Sequence, residues 1–289
     1  MTRYLVTGAR GMLGRDLLVA LDGRDATAAT RAELDITDPA KVRDLVEGHD
    51  VVLNAAAWTD VDGAEADEQG ATAVNGTAVA SLAAACAATG ARLVHVSTDY
   101  VFPGDATRPY AENARTAPIN AYGRSKLAGE RAVLDALPHT GYVVRTAWLY
   151  GAHGRNFVRT MLRLAAERDF VEVVDDQVGQ PTWSRDLAER LVALADGRAP
   201  AGVYHGTASG QTSWHGLAEA VFAEAGHDPA RVRRTTSAVY VRPAPRPSYS
   251  VLGHDRWAAA GLAPLRPWRA MLASALADPA FADAGGGAP

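Results

Sequence analysis

The sequence predicts an α/β protein, a Rossmann-type doubly wound parallel sheet with a smaller C-terminal lobe. Three observations lead there. Short β-branched runs alternate with longer helical patterns through the first half of the chain, a glycine-rich turn joins the first run to the first helix, and the alternation loosens beyond Tyr150. Strands that alternate with helices pair in parallel and are covered on both faces, because each connection must cross over the sheet. A chain of 289 residues, 48% of them apolar, can bury one large domain, or one domain and a lobe. The expected division is 1–150 mainly in the sheet domain and 151–280 mainly in the smaller lobe, with some segments returning to the sheet. Residues 281–289 are expected to form a frayed tail, because "ADAGGGAP" carries no apolar anchor.

The elements follow in order. "YLVT" is the first strand, and the helix from Met12 to about Leu21 follows its glycines. "ATAA" is the second strand. Asp38 before Pro39 opens the next helix, since the carboxylate can cap free backbone N–H groups and proline suits the first turn. "VVLN" follows, then a helix from Val74 to Thr89, the strand "RLVHVS", the helix carrying Tyr122 and the strand "YVVRT". Later helices are expected near Asn156–Glu167, Ser184–Ala195 and Trp214–Ala225, separated by "VEVV" and "GVYHGTAS". "VRPAPRPSYS" has little helical character and reads as an ordered loop packed on the smaller lobe. There is no internal repeat.

Composition excludes several classes. The single cysteine, Cys86, sits in "ASLAAACAATG" as a small core residue, so no disulfide framework is possible and a reducing compartment fits. The N-terminus runs directly into "RYLVTGARG" with no leader, and no apolar run of about eighteen residues is evident. A soluble cytoplasmic protein with no membrane partner is the expectation. A net charge of −4, with acids and bases interspersed, argues against a nucleic-acid partner.

"LVTGARGMLGRDLL" places Gly8, Gly11 and Gly14 between a strand and an amphipathic helix. Glycines there permit a tight turn, let backbone approach a pyrophosphate and let the helix pack closely, while the helix N-terminus supplies N–H groups. Gly8, Arg10, Gly11, Met12 and Leu13 are therefore candidates to bind a dinucleotide. For NAD, a carboxylate is expected about twenty residues further on. The corresponding stretch here, "AATRAELDIT", offers Thr30 and Arg31, and the guanidinium would attract a 2′-phosphate. NADPH is favoured, with NADH possible; a plain surface arginine is the alternative. Asp35 and Ile36 could pass beside the adenine. Ala55, Ala56 and Ala57, after the third strand, leave backbone close to whatever lies over the strand ends.

The fourth strand runs into "VHVSTDYVFPG", which brings a hydroxyl, Ser97 or Thr98, to the carboxyl end of the sheet where such folds hold ligands. In "AYGRSKLAGE", Tyr122 and Lys126 are four residues apart and share a helix face. Hydroxyl, phenol and ammonium are the groups needed to move a proton on and off a carbonyl oxygen during hydride transfer. A free phenol titrates near pH ~10, and an ammonium beside it favours the phenolate. Tyr122 would be general acid in reduction, Thr98 would donate a hydrogen bond to the same oxygen, and Lys126 would also hold the ribose hydroxyls.

The glycine turn, "STDYVF" and the Y-x-x-x-K pair resemble the extended short-chain dehydrogenase/reductase superfamily. More narrowly, "NAAAWTDVDGAE", "STDYVFPG", "NAYGRSKLAGE", "VVRTAWLYG", "NFVRTML", "DQVGQPT" and "RPSYSVL" are similar in order and spacing to the dTDP-4-dehydrorhamnose reductase family, from the first strand to about Leu252. The resemblance implies NAD(P)H-dependent reduction of the C4 ketone of dTDP-4-dehydro-L-rhamnose to dTDP-L-rhamnose, the last step of dTDP-rhamnose biosynthesis. It implies Thr98, Tyr122 and Lys126 as the catalytic set, and places Val61, Tyr100 and Trp148 with Thr98 and Tyr122 against the sugar nucleotide. The flat indole of Trp148 suits a sugar or base in its own right, with an ordinary core tryptophan as the alternative. Asn156, Arg159, Gln177, Arg242 and Arg246 are further substrate candidates, the arginines as partners for a diphosphate.

One departure stands out. Some relatives form a magnesium-bridged dimer through glutamates in the first helix and in the helix after the "PT" motif. Here Asp16 could replace the first, but Arg185 stands at the second, and a guanidinium cannot ligate a hard cation. No structural metal is expected, and a monomer is favoured over a homodimer. The rival readings are a sibling reductase of another dTDP-4-keto sugar, such as a dihydrostreptose-type precursor, and a non-catalytic binding protein like the regulatory subunit of methionine adenosyltransferase, which resembles the same family.

Overall fold

Among the residues described by the computed structural model, 1–197 and 199–283, six parallel strands form the central sheet. They are β1 (Arg3–Thr7), β2 (Asp25–Ala29), β3 (Val51–Asn54), β4 (Arg92–Thr98), β5 (Gly141–Thr146) and an edge strand, Gly202–His205, in the spatial order β2, β1, β3, β4, β5, edge. β2 lies to one side of β1 and β3 to the other. The strand order thus reverses at β1, and a crevice opens beyond the carboxyl ends of β1 and β3, which is where such sheets bind ligands. Further along, the register sets Thr98 at the end of β4 beside Thr146 at the end of β5.

Alternation along the strands feeds two cores. Tyr4 and Val6 join one with Leu53 and Val144, while Leu5 joins the other with Val52 and Val143. α1 (Met12–Ala20) packs on the helix Ser184–Asp196 over the first face. α2 (Pro39–Val46), the helix ending at Thr89 and the helix Ala121–Ala136 cover the second. α2 starts as expected: Asp38 Oδ1 accepts from Ala40 N at 3.0 Å and Lys41 N at 3.3 Å, ahead of Pro39.

The helix expected over 74–89 begins earlier. Glu68–Thr89 is one helical run containing a π-helical turn at Ala73–Thr77. The run has 22 residues and contains an 18-residue window of mean hydropathy 1.4, long and apolar enough to cross a membrane by length and composition, which corrects the expectation that no such stretch exists. Half of that apolar window is buried inside the fold, where Leu82 and Val79 join the second core.

Beyond Tyr150, the strand Gly202–His205 pairs with β5 and the helix Ser184–Asp196 lies on α1, so both return to the central sheet. Strands Val171–Val174 and Val232–Thr235 pair in parallel, with helices Phe157–Glu167 and Trp214–Glu224 packed nearby. The arginine–proline stretch forms no helix or strand, and it packs on both parts of the molecule. Ser248 O accepts from Val178 N at 2.8 Å, whereas Tyr249 N donates to Gly104 O at 2.9 Å and Arg246 Nη2 to Asp62 Oδ1 at 2.9 Å. An arginine–carboxylate pair thus draws a loop expected on the lobe onto the sheet domain. Of the expected tail, residues 281–283 end the short helix Pro279–Asp283, with Phe281 buried, and 284–289 lie outside the described residues. Cys86 is buried, and desolvation pushes its thiol up to about 12.

Candidate active site

A cavity of 890 Å³ opens at the carboxyl ends of β1 to β5. A more open one of 670 Å³ lies at the opposite end of the sheet around Arg92, His139 and Tyr142, and holds none of the candidate residues. The first is walled on one side by Gly8, Arg10, Gly11, Met12 and Leu13, on another by Thr30, Arg31, Asp35 and Ile36, and along its floor by Ala55, Ala56 and Ala57. The fold therefore gathers all these predicted cofactor residues, with Tyr122 and Lys126, around one space.

The glycines do what their turn requires. Gly8 has φ +68°, and a Cβ on Gly14 would sit 2.2 Å from Gly8 O, so only glycine lets α1 start against the strand end. α1 has no side-chain cap at Gly11, leaving its first N–H groups available to an anion. Thr30 is tied to Glu33, and Asp35 Oδ1 accepts from Thr37 N at 3.0 Å and Thr37 Oγ1 at 2.7 Å, which lowers the Asp35 carboxyl. Arg31 is exposed and makes no hydrogen bond or ion pair among the described residues. A glycine cradle, a free helix N-terminus, an uncommitted guanidinium beyond β2 and a lysine at the far end form a donor set that fits a phosphorylated dinucleotide.

Tyr122 lies in the first turn of the helix Ala121–Ala136, which Asn120 caps by accepting from Gly123 N at 2.8 Å. A Cβ on Gly123 would lie 2.2 Å from Tyr100 O, so the helix start is pressed against the segment after β4. This sets the Tyr122 ring edge-on to Tyr100, with centroids 5.9 Å apart at 84°. Burial raises the Tyr122 phenol above its ordinary value, the nearby Asp99 carboxylate adds to this, and the Thr98 hydroxyl opposes it. The expected depression by Lys126 is not produced by the protein's own groups. Lys126 Nζ donates to Val96 O at 2.6 Å and lies 3.4 Å from His95 Nε2, and burial lowers it to about 8. The phenol is thus held in its protonated, acid form.

Ser97 and Thr98, both possible from sequence, part company. Ser97 Oγ donates to Glu130 Oε1 at 2.6 Å, and Glu130 in turn holds Arg145 in a buried pair at 2.7 Å, so Ser97 belongs to a structural network. Thr98 Oγ1 donates to Asp99 Oδ1 at 2.9 Å and accepts from Tyr100 N at 3.2 Å. Burial pushes the Asp99 carboxyl up to about 6.

Of the substrate candidates, Val61, Tyr100 and Trp148 line the same cavity as Thr98 and Tyr122. Asn156, Arg159, Gln177, Arg242 and Arg246 are not among its lining residues. Asn156 caps its helix, accepting from Arg159 N at 3.0 Å and donating to Gly151 O at 2.8 Å. Arg159 Nη1 donates to Ala152 O and Gly154 O, each at 3.2 Å. Arg242 and Arg246 both pair with Asp62, at 3.3 and 2.9 Å. Gln177 lies behind the cavity wall, accepting from Trp214 Nε1 at 3.1 Å.

Sequence reasoning missed Trp214. Its ring stacks on Trp148 with centroids 3.6 Å apart at 8°, forming a two-indole shelf in the cavity. Trp148 reaches it with φ +47°, the only positive φ at a non-glycine among the described residues, over Gly179, where a Cβ would be 2.5 Å from the indole. Missed too were Asp99, Arg155 and Thr146, whose buried Oγ1 has no hydrogen-bond partner among the described residues, and Asn75. The π turn turns Asn75 inward, where Oδ1 accepts from Trp58 N at 2.9 Å and Nδ2 donates to Ser125 Oγ at 3.0 Å. Such π turns often mark functional sites; Asp99 and Thr146 lay within quoted motifs without being singled out, while Asn75 and Arg155 carried no signal of their own.

Of the two positions weighed against a metal, Asp16 accepts a hydrogen bond from Ser184 and burial raises its carboxyl, while Arg185 pairs with Asp278 at 3.0 Å. Among the described residues no cluster of three or more His, Cys, Asp or Glu side chains is arranged to hold a metal.

The family model of the RmlD substrate binding domain matches residues 2–280. Among known proteins, a dTDP-4-dehydrorhamnose reductase of Streptomyces griseus is 59% identical over 278 residues, 93% of this chain and 91% of that one. A dTDP-4-keto-6-deoxy-D-glucose reductase of Streptomyces niveus is 54% identical, covering 94% of this chain and 96% of its own. A solved dTDP-4-dehydrorhamnose reductase from Bacillus anthracis, in complex with NADP, superposes with a TM-score of 0.92 at 36% identity, covering 96% of this chain and 99% of its own.

Proposed function

The chain belongs to the RmlD substrate-binding-domain family, and from that premise we propose that it is an NADPH-dependent oxidoreductase that reduces the C4 ketone of dTDP-4-dehydro-L-rhamnose to dTDP-L-rhamnose. The observation that carries this reading is the single cavity into which the glycine turn, Arg31 and Lys126 open together with Thr98 and Tyr122. A bound nicotinamide supplies the hydride. The glycine turn and the start of α1 would hold its pyrophosphate, Arg31 and Thr30 the 2′-phosphate, and Lys126 the ribose hydroxyls. Tyr122, kept protonated by burial, gives its proton to the ketone oxygen as carbon is reduced. Thr98 polarises the same oxygen, for which its single hydroxyl proton turns away from Asp99 Oδ1. Lys126 then steadies the phenolate left behind. Trp148 and Trp214 offer a flat apolar face to the sugar nucleotide in the cavity that Val61 and Tyr100 also line, and Asn156, Gln177 and Arg246, outside that lining, are the weaker substrate candidates. NADH is the weaker cofactor in this reading. The enzyme works in the cytoplasm as a monomer, without metal, nucleic acid or membrane, and residues 1–150 contribute most of the cofactor side and 151–280 most of the substrate side.

A second reading is favoured by one observation: the Streptomyces niveus relative, 54% identical, is named for a different dTDP-4-keto sugar. A sibling ketoreductase would use the same catalytic groups and differ around the indole shelf. A panel of dTDP-4-keto sugars with NADPH and NADH, followed by loss of reduced-cofactor absorbance, separates the two. The highest kcat/KM on dTDP-4-dehydro-L-rhamnose with NADPH is expected, a higher value on another sugar supports the sibling reading, and no turnover on any sugar rejects both.

A further inference from the structure

Behind Lys126 runs a buried polar chain to which neither the motifs nor the proposed reaction assigns a role. Thr7, Asn54, His95 and Lys126 are each at most 2% exposed. Asn54 Oδ1 accepts from Thr7 Oγ1 at 2.6 Å and from Ala56 N at 3.2 Å, Asn54 Nδ2 lies 2.9 Å from His95 Nδ1, and His95 Nε2 lies 3.4 Å from Lys126 Nζ. The direction of each bond can be worked out from one end. A backbone N–H such as that of Ala56 is only a donor, so it fixes which end of the Asn54 amide is oxygen. The amide nitrogen therefore donates to His95 Nδ1. His95 is neutral, since burial and the neighbouring lysine hold its pKa far below the ordinary range, so its one proton sits on Nε2 and faces Lys126.

We propose that His95 is a positioning residue of the reductase site: held in the Nε2–H tautomer by Asn54, it presents Lys126 with a donor instead of an acceptor, which disfavours the ammonium and turns the Nζ protons to Val96 O and the cavity. This rests on the reductase reading for its consequence, though not for its geometry. The ionisable groups around Nζ are Glu130 from its own helix and His95 from β4, with the Tyr122 phenol one turn back on the same helix face and on the same cavity. Glu130 is committed to Arg145 of β5, and Asp99 beyond β4 acts on the Tyr122 phenol. The ammonium thus gains most when the phenolate forms, the moment at which Lys126 is needed.

Two measurements test this. Long-range ¹⁵N–¹H spectra of the histidine-labelled holoenzyme, with His95 assigned by its loss in His95→Leu or His95→Gln, should show a neutral Nε2–H ring from pH 8 to about pH 5. An Nδ1–H ring, or one that gains a second proton in that range, overturns the proposal whatever the substrate is. In His95→Leu, which removes the opposing N–H with an apolar side chain, the alkaline limb of the kcat profile should move up by about half a pH unit or more, with the KM for the sugar unchanged. A limb that stays or moves down overturns the tuning role, and a side chain that merely fills space would not move it. Loss of turnover on every sugar by the unaltered enzyme would instead reject the reductase reading and leave the spectra to decide the tautomer.

Discussion

Replacing Tyr122 with phenylalanine isolates the acid–base step, because the structure leaves the ring little reason to move. Its edge-on contact with Tyr100 and the hydrogen bond from Ser125 Oγ to Tyr122 O at 2.7 Å do not involve the phenol oxygen. One hydroxyl, half-buried and facing the cavity, is lost, so the stability change should stay within about 1 kcal/mol. Loss of a positioned general acid costs about 10²- to 10⁴-fold in kcat, or about 3–5 kcal/mol of transition-state stabilisation. Single-turnover reduction followed by loss of NADPH absorbance should fall by that factor, and NADPH affinity, read from fluorescence, should change less than about threefold because Lys126, Arg31 and the glycine turn are untouched. A kcat within a factor of about five of the unaltered enzyme would refute Tyr122 as proton donor. A large fall explained by lost NADPH binding would show that the phenol places cofactor instead of supplying the proton.

Arg31→Ala should weaken NADPH binding by at least about tenfold and leave NADH nearly unchanged, because an exposed guanidinium that makes no hydrogen bond or ion pair among the described residues is open to the 2′-phosphate; equal effects on both cofactors in a titration would remove that role. Glu130→Ala should destabilise the protein by about 3–5 kcal/mol in urea unfolding, because it strands the Arg145 guanidinium, 5% exposed, without its carboxylate, and also takes the acceptor of Ser97; a loss below about 1 kcal/mol would mean that the network relaxes freely. Acid should destabilise the fold. The His205 pKa is lowered to about 3 from an ordinary 6.5 and that of His95 lies well below 6.5, so the unfolded chain takes up protons that the folded one refuses, and stability falls as pH drops from 6.5 toward 3. Asp99, raised from 3.8 to about 6, and Asp16, raised by burial, work the other way, but two carboxyls oppose three imidazoles, since burial lowers His254 as well. A Tm that rises between pH 6.5 and 4.5 would contradict this balance.

Much of the sheet domain was legible because its signals are local. Val51 and Val52 are buried on opposite faces and so read as one apolar run, Asp38 and Pro39 cap α2 within three residues of sequence, and Gly14 must be glycine because of an atom only six residues back. The proposed catalytic residues were legible for the same reason, since Tyr122 and Lys126 share one helix and Thr98 ends one strand. Only half of the arginine–proline loop's packing was foreseen because its other partner, Asp62, is remote in sequence, and Trp214 was missed because a tryptophan opening a helix looks like any core residue until Trp148 is stacked on it.

Taken by itself, the sequence determined the alternating architecture, the glycine turn and the hydroxyl, phenol and ammonium that meet in the cavity, since periodicity, turn chemistry and helical spacing act over a few residues. The tertiary structure alone decided which proton each of those groups keeps. Burial beside Asp99 raises the Tyr122 phenol, desolvation lowers Lys126, and a chain of hydrogen bonds running from Ala56 through Asn54 sets the tautomer of His95. Protonation depends on the dielectric and on charges brought near from distant parts of the chain, and both exist only once the sheet has closed over them.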